Sequence, residues 1–282
     1  MIDSEQKQKA ETFFSLHQRP PILVLPNAWD VISAKLYEQA GFPALGTTSA
    51  GIAASLGYPD GQRMSLQDNL LVVRRIAGRL PIPLTADIES GYATTVEGVV
   101  AAAASAWNAG AVGINLEDSS GDPGQPLFSI AEQVEKIRAI REMMSSLSFR
   151  LFLNARTDVF LLPGADAASK FNAAVARGNA YREAGADCIF VPDSGELDKE
   201  TIANLVKQIN APLNVIAGAY LPPVPVLQEI GVARVSLGPR AMRAMLALLK
   251  KIAAELLLQG TYTSMTVETL SYAEVNTLLE MR

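Results

Sequence analysis

One cysteine and one histidine are all that 282 residues carry, and this scarcity removes several chemistries at once. With Cys188 alone, no disulfide closes within the chain, which fits a reducing compartment. The thiol sits in Ala186-Asp187-Cys188-Ile189-Phe190-Val191, an apolar strand-like run, so its role is structural. His17 precedes the first strand, which argues against a histidine-ligated zinc, histidine acid–base work and any Ser-His-Asp set. Aromatic residues make up only 6 %, no basic run exceeds Lys250-Lys251, and the net charge is −5. Nothing there forms a nucleic-acid surface. Charges interrupt every apolar stretch well short of the ~20 residues a membrane span needs. Met1 to Ala10 is polar and mixed in charge, unlike a signal peptide. The expectation is a cytoplasmic protein with neither membrane nor nucleic acid as partner.

What the chain does contain is a regular alternation. Short apolar runs at 22–25, 44–47, 83–89, 112–116, 150–154, 188–191, 213–216 and 234–236 read as strands. They lack polar alternation, as strands buried on both faces do. Helical segments stand between them: after Asp30 to about 40, from Ser65, then near 95–108, 129–144, 167–183, 199–209, 224–230 and 239–258, with another at 6–16 before the first strand. A long loop is expected over 48–64. Gly41, Gly110, Gly185 and Gly231 fall just past helix ends, where a left-handed cap wants glycine. Eight βα units predict a (β/α)8 TIM-type barrel, α/β in class, with 1–282 as a single domain. A doubly wound sheet ranks behind it, for want of a glycine-rich turn after the first strand. Residues 259–282 exceed the barrel and read as an amphipathic helical extension, expected to pack on a partner subunit in a homo-oligomer, with packing on its own barrel as the alternative.

Barrel chemistry sits where strands end. Those positions hold Asn27, Trp29 and Asp30; Thr47, Thr48, Ser49 and Gly51, with Asp60 further along the loop; Asp87 and Glu89; Asn115, Glu117 and Asp118; Asn154, Arg156 and Asp158; Asp193; Asn214; and Ser236. Asp87 and Glu89, two apart on a strand, are expected to share a face. Three acids from adjacent strands, Asp87, Glu89 and Glu117, converging near Arg156 read as a hard-metal site with an anion clamp. No lysine lies at a strand end, which disfavours a Schiff-base aldolase. The Ser236-Leu237-Gly238-Pro239-Arg240 turn fits either a phosphate or ordinary capping.

Five segments then stand in a shared order and spacing: Pro26-Asn27-Ala28-Trp29-Asp30, Thr48-Ser49-Ala50-Gly51, Ala86-Asp87-Ile88-Glu89-Ser90-Gly91-Tyr92, Asn115-Leu116-Glu117-Asp118 and Asn154-Ala155-Arg156-Thr157-Asp158. Together they resemble the isocitrate lyase/phosphoenolpyruvate mutase superfamily. The resemblance implies a Mg2+-dependent enzyme, with Mn2+ as a substitute, acting on a small α-oxo or 2-hydroxy carboxylate through a stabilised enolate. It makes Asp87, Glu89 and Glu117 the metal-shell acids, partly through water, and Asp60 a further site acid. Arg156 becomes a substrate carboxylate clamp and Ser49-Ala50-Gly51 a second cradle, with Trp29, Asn154 and Asn214 beside the substrate. A tetramer with exchanged C-terminal helices is also implied. The loop after the fourth strand departs from the lyases, since Ser119 to Leu127 holds no Cys, Lys or His to donate a proton, and Ser119 stands where the mutases carry a lysine. This points to decarboxylation of a β-keto acid such as oxaloacetate. The alternatives are a C–C lyase on another 2-hydroxy dicarboxylate with Tyr92 or water as acid, P–C chemistry, and a non-catalytic dicarboxylate binder.

Overall fold

Pro26 has no N–H to give a ladder, and it breaks the first strand into two pieces, β1 (Leu23–Leu25) and β2 (Asn27–Ala28). The break closes the barrel: β1 pairs in parallel with the last strand, while β2 pairs with the next one along. A computed structural model describes residues 4–18, 20–147, 149–193 and 195–280. After α1 (Ser4–Ser15), the elements following β2 are α2 (Val31–Gln39), β3 (Leu45–Thr47), α3 (Ser49–Ser55), α4 (Leu66–Ala77), β4 (Leu84–Asp87), α5 (Val96–Asn108) and β5 (Gly113–Glu117). Next come the hairpin β6 (Ser119–Asp122) and β7 (Gln125–Leu127), α6 (Ile130–Leu147), β8 (Phe152–Arg156), α7 (Ala167–Ala184), β9 (Cys188–Val191) and α8 (Lys199–Gln208). The chain continues through β10 (Leu213–Ile216), α9 (Val224–Glu229), β11 (Arg234–Ser236), α10 (Arg240–Gln259) and α11 (Tyr272–Glu280). The sheet order β1-β11-β10-β9-β8-β5-β4-β3-β2 is a (β/α)8 barrel whose first stave is the split strand.

Local chemistry sets the helix starts. Asp30, Thr48, Ser65, Thr95, Asp166 and Asp198 each accept the N–H three residues on, so every one caps a helix as short polar side chains do. Ser129 and Glu132 exchange reciprocal bonds at the start of α6. Gly185 ends α7 at φ 116°, a conformation that would strain any side chain.

Three expectations are corrected. Residues 48–64 are not all loop, because Thr48 caps the short helix α3, leaving 56–65 as the connection. Glu89 does not share a strand face with Asp87, since β4 ends at Asp87 and Glu89 turns left-handed at φ 51°. The segment 119–127 is a β-hairpin rather than an open loop, paired Ser119 to Leu127 and Asp122 to Gln125.

The foot of the barrel is closed by α1. Phe13 and Phe14 meet Phe152 edge-on at 5.1 and 4.9 Å, and the His17 ring stacks on it at 4.1 Å. Burial, with Arg234 close by, drives the His17 imidazole down to about 3, so it is neutral and serves as core. At the other terminus, α11 lies against α2, where Leu278 is buried and the Arg79 guanidinium donates to the Leu279 carbonyl at 3.2 Å. One flank of α10 stays apolar and exposed, through Met245, Leu246, Leu249, Leu257 and Leu258. Among the described residues, no helix is long and apolar enough to cross a membrane.

Candidate active site

Short parallel strands end together at one rim, so the residues closing them share a mouth. Parallel register sets Asp87 beside Asn115, Asn115 beside Asn154, and Glu117 beside Arg156. Asp87 is buried at the end of β4, where its N–H is held by Thr47 Oγ1 at 2.9 Å. Its Oδ2 accepts both the N–H (3.1 Å) and the hydroxyl (2.8 Å) of Ser49. Asp87 Oδ1 is buried without a partner.

Glu89 stands next to β5, its carbonyl accepting the Glu117 N–H at 2.9 Å. Its Oε1 accepts from the Tyr92 hydroxyl and its Oε2 from the Gln62 N–H, both at 2.6 Å. Burial pushes the Glu89 carboxyl up to about 7, Tyr92 pulls it back, and Asp87 and Asp60 push it further. Burial also raises the Glu117 carboxyl well above its ordinary value, against the pull of Arg156, whose Nη1 lies 2.9 Å away. Asp158 takes the other side of the same guanidinium, accepting from Nε at 2.6 Å and Nη2 at 3.0 Å. Flanked so, Arg156 is held above its ordinary value despite burial. Three of the guanidinium's five N–H groups are thereby engaged, leaving two for a ligand. Asp60 rides the exposed 56–65 connection, its carboxyl raised by desolvation, with Asp87 adding to the rise.

The mouth thus unites Asp87, Glu89, Glu117, Arg156, Tyr92 and Ser49, with Asp60 near enough to interact electrostatically with Asp87, Glu89 and Arg156. The three acids do not form a ready cage, because each is drawn to a different partner. Among the described residues, no three of His, Cys, Asp and Glu are placed to hold a metal ion. The other expected site residues have partners within the fold. Ser49 spends both donors on Asp87 and the Gly51 N–H goes to Thr48 Oγ1 at 3.3 Å, so the Ser49-Ala50-Gly51 cradle serves the acid and the helix cap. A Cβ at Gly51 would lie 2.9 Å from Trp29 Cβ, which is why that turn needs glycine. Trp29 packs with Ile52, Ala53, Met64 and Met242 in an apolar cluster. Asn154 and Asn214 are fully buried in the barrel, bonded to Asn115 (2.8 Å) and Ser236 (3.1 Å). The N–H groups of Leu237 and Gly238, which would greet a phosphate, donate instead to Asn27 Oδ1 at 2.8 and 2.9 Å. The Tyr92 hydroxyl donates a hydrogen bond to Glu89, and burial raises its phenol.

Sequence reasoning missed Gln62, Asn69 and Arg234. Asn69 on α4 donates to the Asp87 carbonyl at 2.9 Å and to the Tyr92 hydroxyl at 3.3 Å. Arg234 is wholly enclosed, its Nε on Ser236 Oγ at 3.0 Å and both terminal nitrogens unpartnered. Burial lowers it to about 10, with Cys188 and Asp87 resisting. A charged residue inside an apolar strand run was the available signal for Arg234. No motif marked the other two.

A barrel with a polyacidic rim and one rim arginine defines the class, and comparison supplies the family. The chain matches the phosphoenolpyruvate phosphomutase family over residues 13–257 and belongs to it. It is 32 % identical to the 2-methylisocitrate lyase of Bacillus subtilis, over 74 % of this chain and 67 % of that one. It is 30 % identical to the phosphonopyruvate hydrolase of a Variovorax strain, over 83 % and 81 %. Its fold is shared by an oxaloacetate acetylhydrolase solved with oxalate, at a TM-score of 0.85 and 24 % identity, covering 98 % of this chain and 95 % of that one. The protein is an enzyme of the isocitrate lyase/phosphoenolpyruvate mutase superfamily, of the lyase kind.

Proposed function

We propose that this chain decarboxylates a small β-keto acid of the oxaloacetate type with Mg2+, or Mn2+ in its place. The observation that carries the reading is the pairing of one unpartnered carboxylate oxygen, Asp87 Oδ1, with the two spare N–H groups of Arg156 at the same rim. A hard cation takes oxygen ligands and keeps several waters. One buried bare oxygen, with Glu89 and Glu117 turned to other donors, suits that habit: Asp87 would hold the ion itself, and the other two would hold it through water. When bound, the ion polarises a 2-oxo group and offsets the charge that develops there.

The protein's own part is to hold and to exclude. Arg156 binds the carboxylate beside the oxo group, and Asp158 and Glu117 fix its guanidinium. Asp87 stays anchored on Ser49 through Oδ2, which keeps Oδ1 unpartnered. The bond between the distal carboxylate and its neighbouring carbon breaks, CO2 leaves, and the electron pair remains as the enolate of pyruvate. Water then supplies the proton to carbon. Nothing in the 119–127 hairpin is asked to donate, which agrees with its lack of Cys, Lys and His.

Pyruvate release from oxaloacetate, followed with Mg2+ and with chelator and corrected for the spontaneous reaction, tests the reading. Metal-dependent turnover supports it, and turnover no faster than background overturns it. A second reading, cleavage of a larger 2-hydroxy dicarboxylate, is favoured by the kinship with 2-methylisocitrate lyase. Release of an oxo acid from such substrates without oxaloacetate turnover would select it. The exposed apolar flank of α10 and the 259–282 extension serve as the subunit contact of a cytoplasmic homo-oligomer. Light scattering of a chain ended at residue 262 checks the extension's share, since an unchanged mass would remove it from the contact.

A further inference from the structure

Four non-glycine residues of the described chain have positive φ, and three of them meet at one point of the mouth: Gln62 (58°), Glu89 (51°) and Tyr92 (54°). A side chain in that region is strained, and such strain persists only where the surroundings over-determine it. Here one residue does the over-determining. The Gln62 N–H donates to Glu89 Oε2 at 2.6 Å, its Nε2 donates to Ser90 Oγ at 2.6 Å, and its Oε1 accepts the Tyr92 N–H at 2.7 Å. Tyr92 in turn holds Glu89 Oε1 at 2.6 Å. Gln62 therefore grips both oxygens of Glu89, one directly and one through the residue that binds it.

The same residue belongs to the 56–65 connection, two positions after Asp60. Among the described residues, it makes the only hydrogen bonds from 56–65 to the turn after β4. Gly61 between them is left-handed at φ 88° and has nothing within 4 Å of where a Cβ would stand. Open space surrounds that link, so the loop is bonded to the turn at Gln62 itself.

We propose that Gln62 is a positioning residue of this site: it clasps the Asp60 loop to the Glu89–Tyr92 turn and so fixes the two acids relative to each other. The inference rests on the reading of Glu89 as a site acid. Gln62 acts through the residues it holds, Glu89, Ser90 and Tyr92. A side-chain amide suits the task because it donates and accepts at once, which neither Glu nor Met can do.

Gln62→Ala and Gln62→Asn test it. Asn tolerates the left-handed backbone and keeps the amide, but falls one methylene short of Ser90 and Tyr92. Hydrogen exchange of segments 56–65 and 88–93 is measured beside Mg2+ affinity by calorimetry, kcat and KM for oxaloacetate, and Tm. Both variants should melt close to wild type and exchange about tenfold faster in both segments together. Their kcat should fall about 10- to 100-fold, with KM changed less than about threefold and Mg2+ binding weakened. Exchange that rises in one segment only, or kcat unchanged while both loosen, overturns the positioning role. Wild-type protein that neither binds Mg2+ nor turns over oxaloacetate strikes the functional reading instead, and the role assigned to Gln62 falls with it.

Discussion

At the foot of the barrel Phe13, Phe14, His17 and Phe152 pack ring against ring, and the one imidazole there is stripped of its charge. At the mouth, Glu117 and Asp158 flank one rim arginine with Asp87 and Glu89 near by, and burial lifts three of these four carboxyls above their ordinary values. Both ends are buried, yet burial serves opposite ends of the ledger. Apolar rings gain from losing water, roughly 1.5–3 kcal/mol for a fully buried side chain. Like charges deprived of water lose by it, and the structure tolerates them only with donors such as Ser49, Gln62 and Tyr92 around them. The foot holds the fold, and the mouth draws on the stability the foot provides.

Variants that separate the two ends should show it. The largest effect belongs to Asp87→Ala, which should lower Mg2+-dependent turnover by about 10³-fold or more while circular dichroism and Tm stay near wild type. Unfolding of that variant would mean the mouth also carries the fold. Phe13→Ala is the mirror case. It should cost about 3–5 kcal/mol in chemical denaturation, with kcat of the surviving folded protein unchanged.

A pH dependence sharpens the contrast. The Glu89 carboxyl lies at about 7 when folded, against an ordinary 4.5, so the folded chain binds more protons than the unfolded chain between those values. Stability in chelator should therefore fall as pH rises from about 4.5 to 7, with the loss complete above the folded value. Glu89→Gln, which carries no charge to bury, should flatten that slope and melt higher than wild type at pH 8. A slope that survives the substitution would move the proton to Glu117. The smallest effect is expected of Cys188→Ser. Burial pushes that thiol up to about 12, so turnover should stay within about twofold of wild type. Loss of activity without unfolding would give the thiol a role that neither end assigns it.

Much of the barrel is legible from spacing alone. The boundaries of β9, β10 and β11 agree to the residue with their apolar runs, and Asp30, Ser65 and Thr95 mark helix starts through side chains that accept backbone donors. The element α3 escaped because Ser49–Ser55 is too short to show a helical period and carries Gly51 inside it. The hairpin at 119–127 escaped because Asp122-Pro123-Gly124 reads as loop, and its two strands are exposed and polar.

By itself, then, the sequence determined the order of the barrel's strands and helices, the structural place of the lone Cys, and that Asp87 and Glu117 would stand at strand ends. Those follow from local rules: period, capping and the alternation of faces. Only the tertiary structure decided how the acids are used, because that depends on partners far away in the chain. Glu89 leaves its strand face to meet Gln62, Arg156 is shared between Asp158 and Glu117, and Ser49 turns inward to Asp87. Each of these pairings answers the cost of a buried charge, and that cost appears only once the barrel closes and water is excluded.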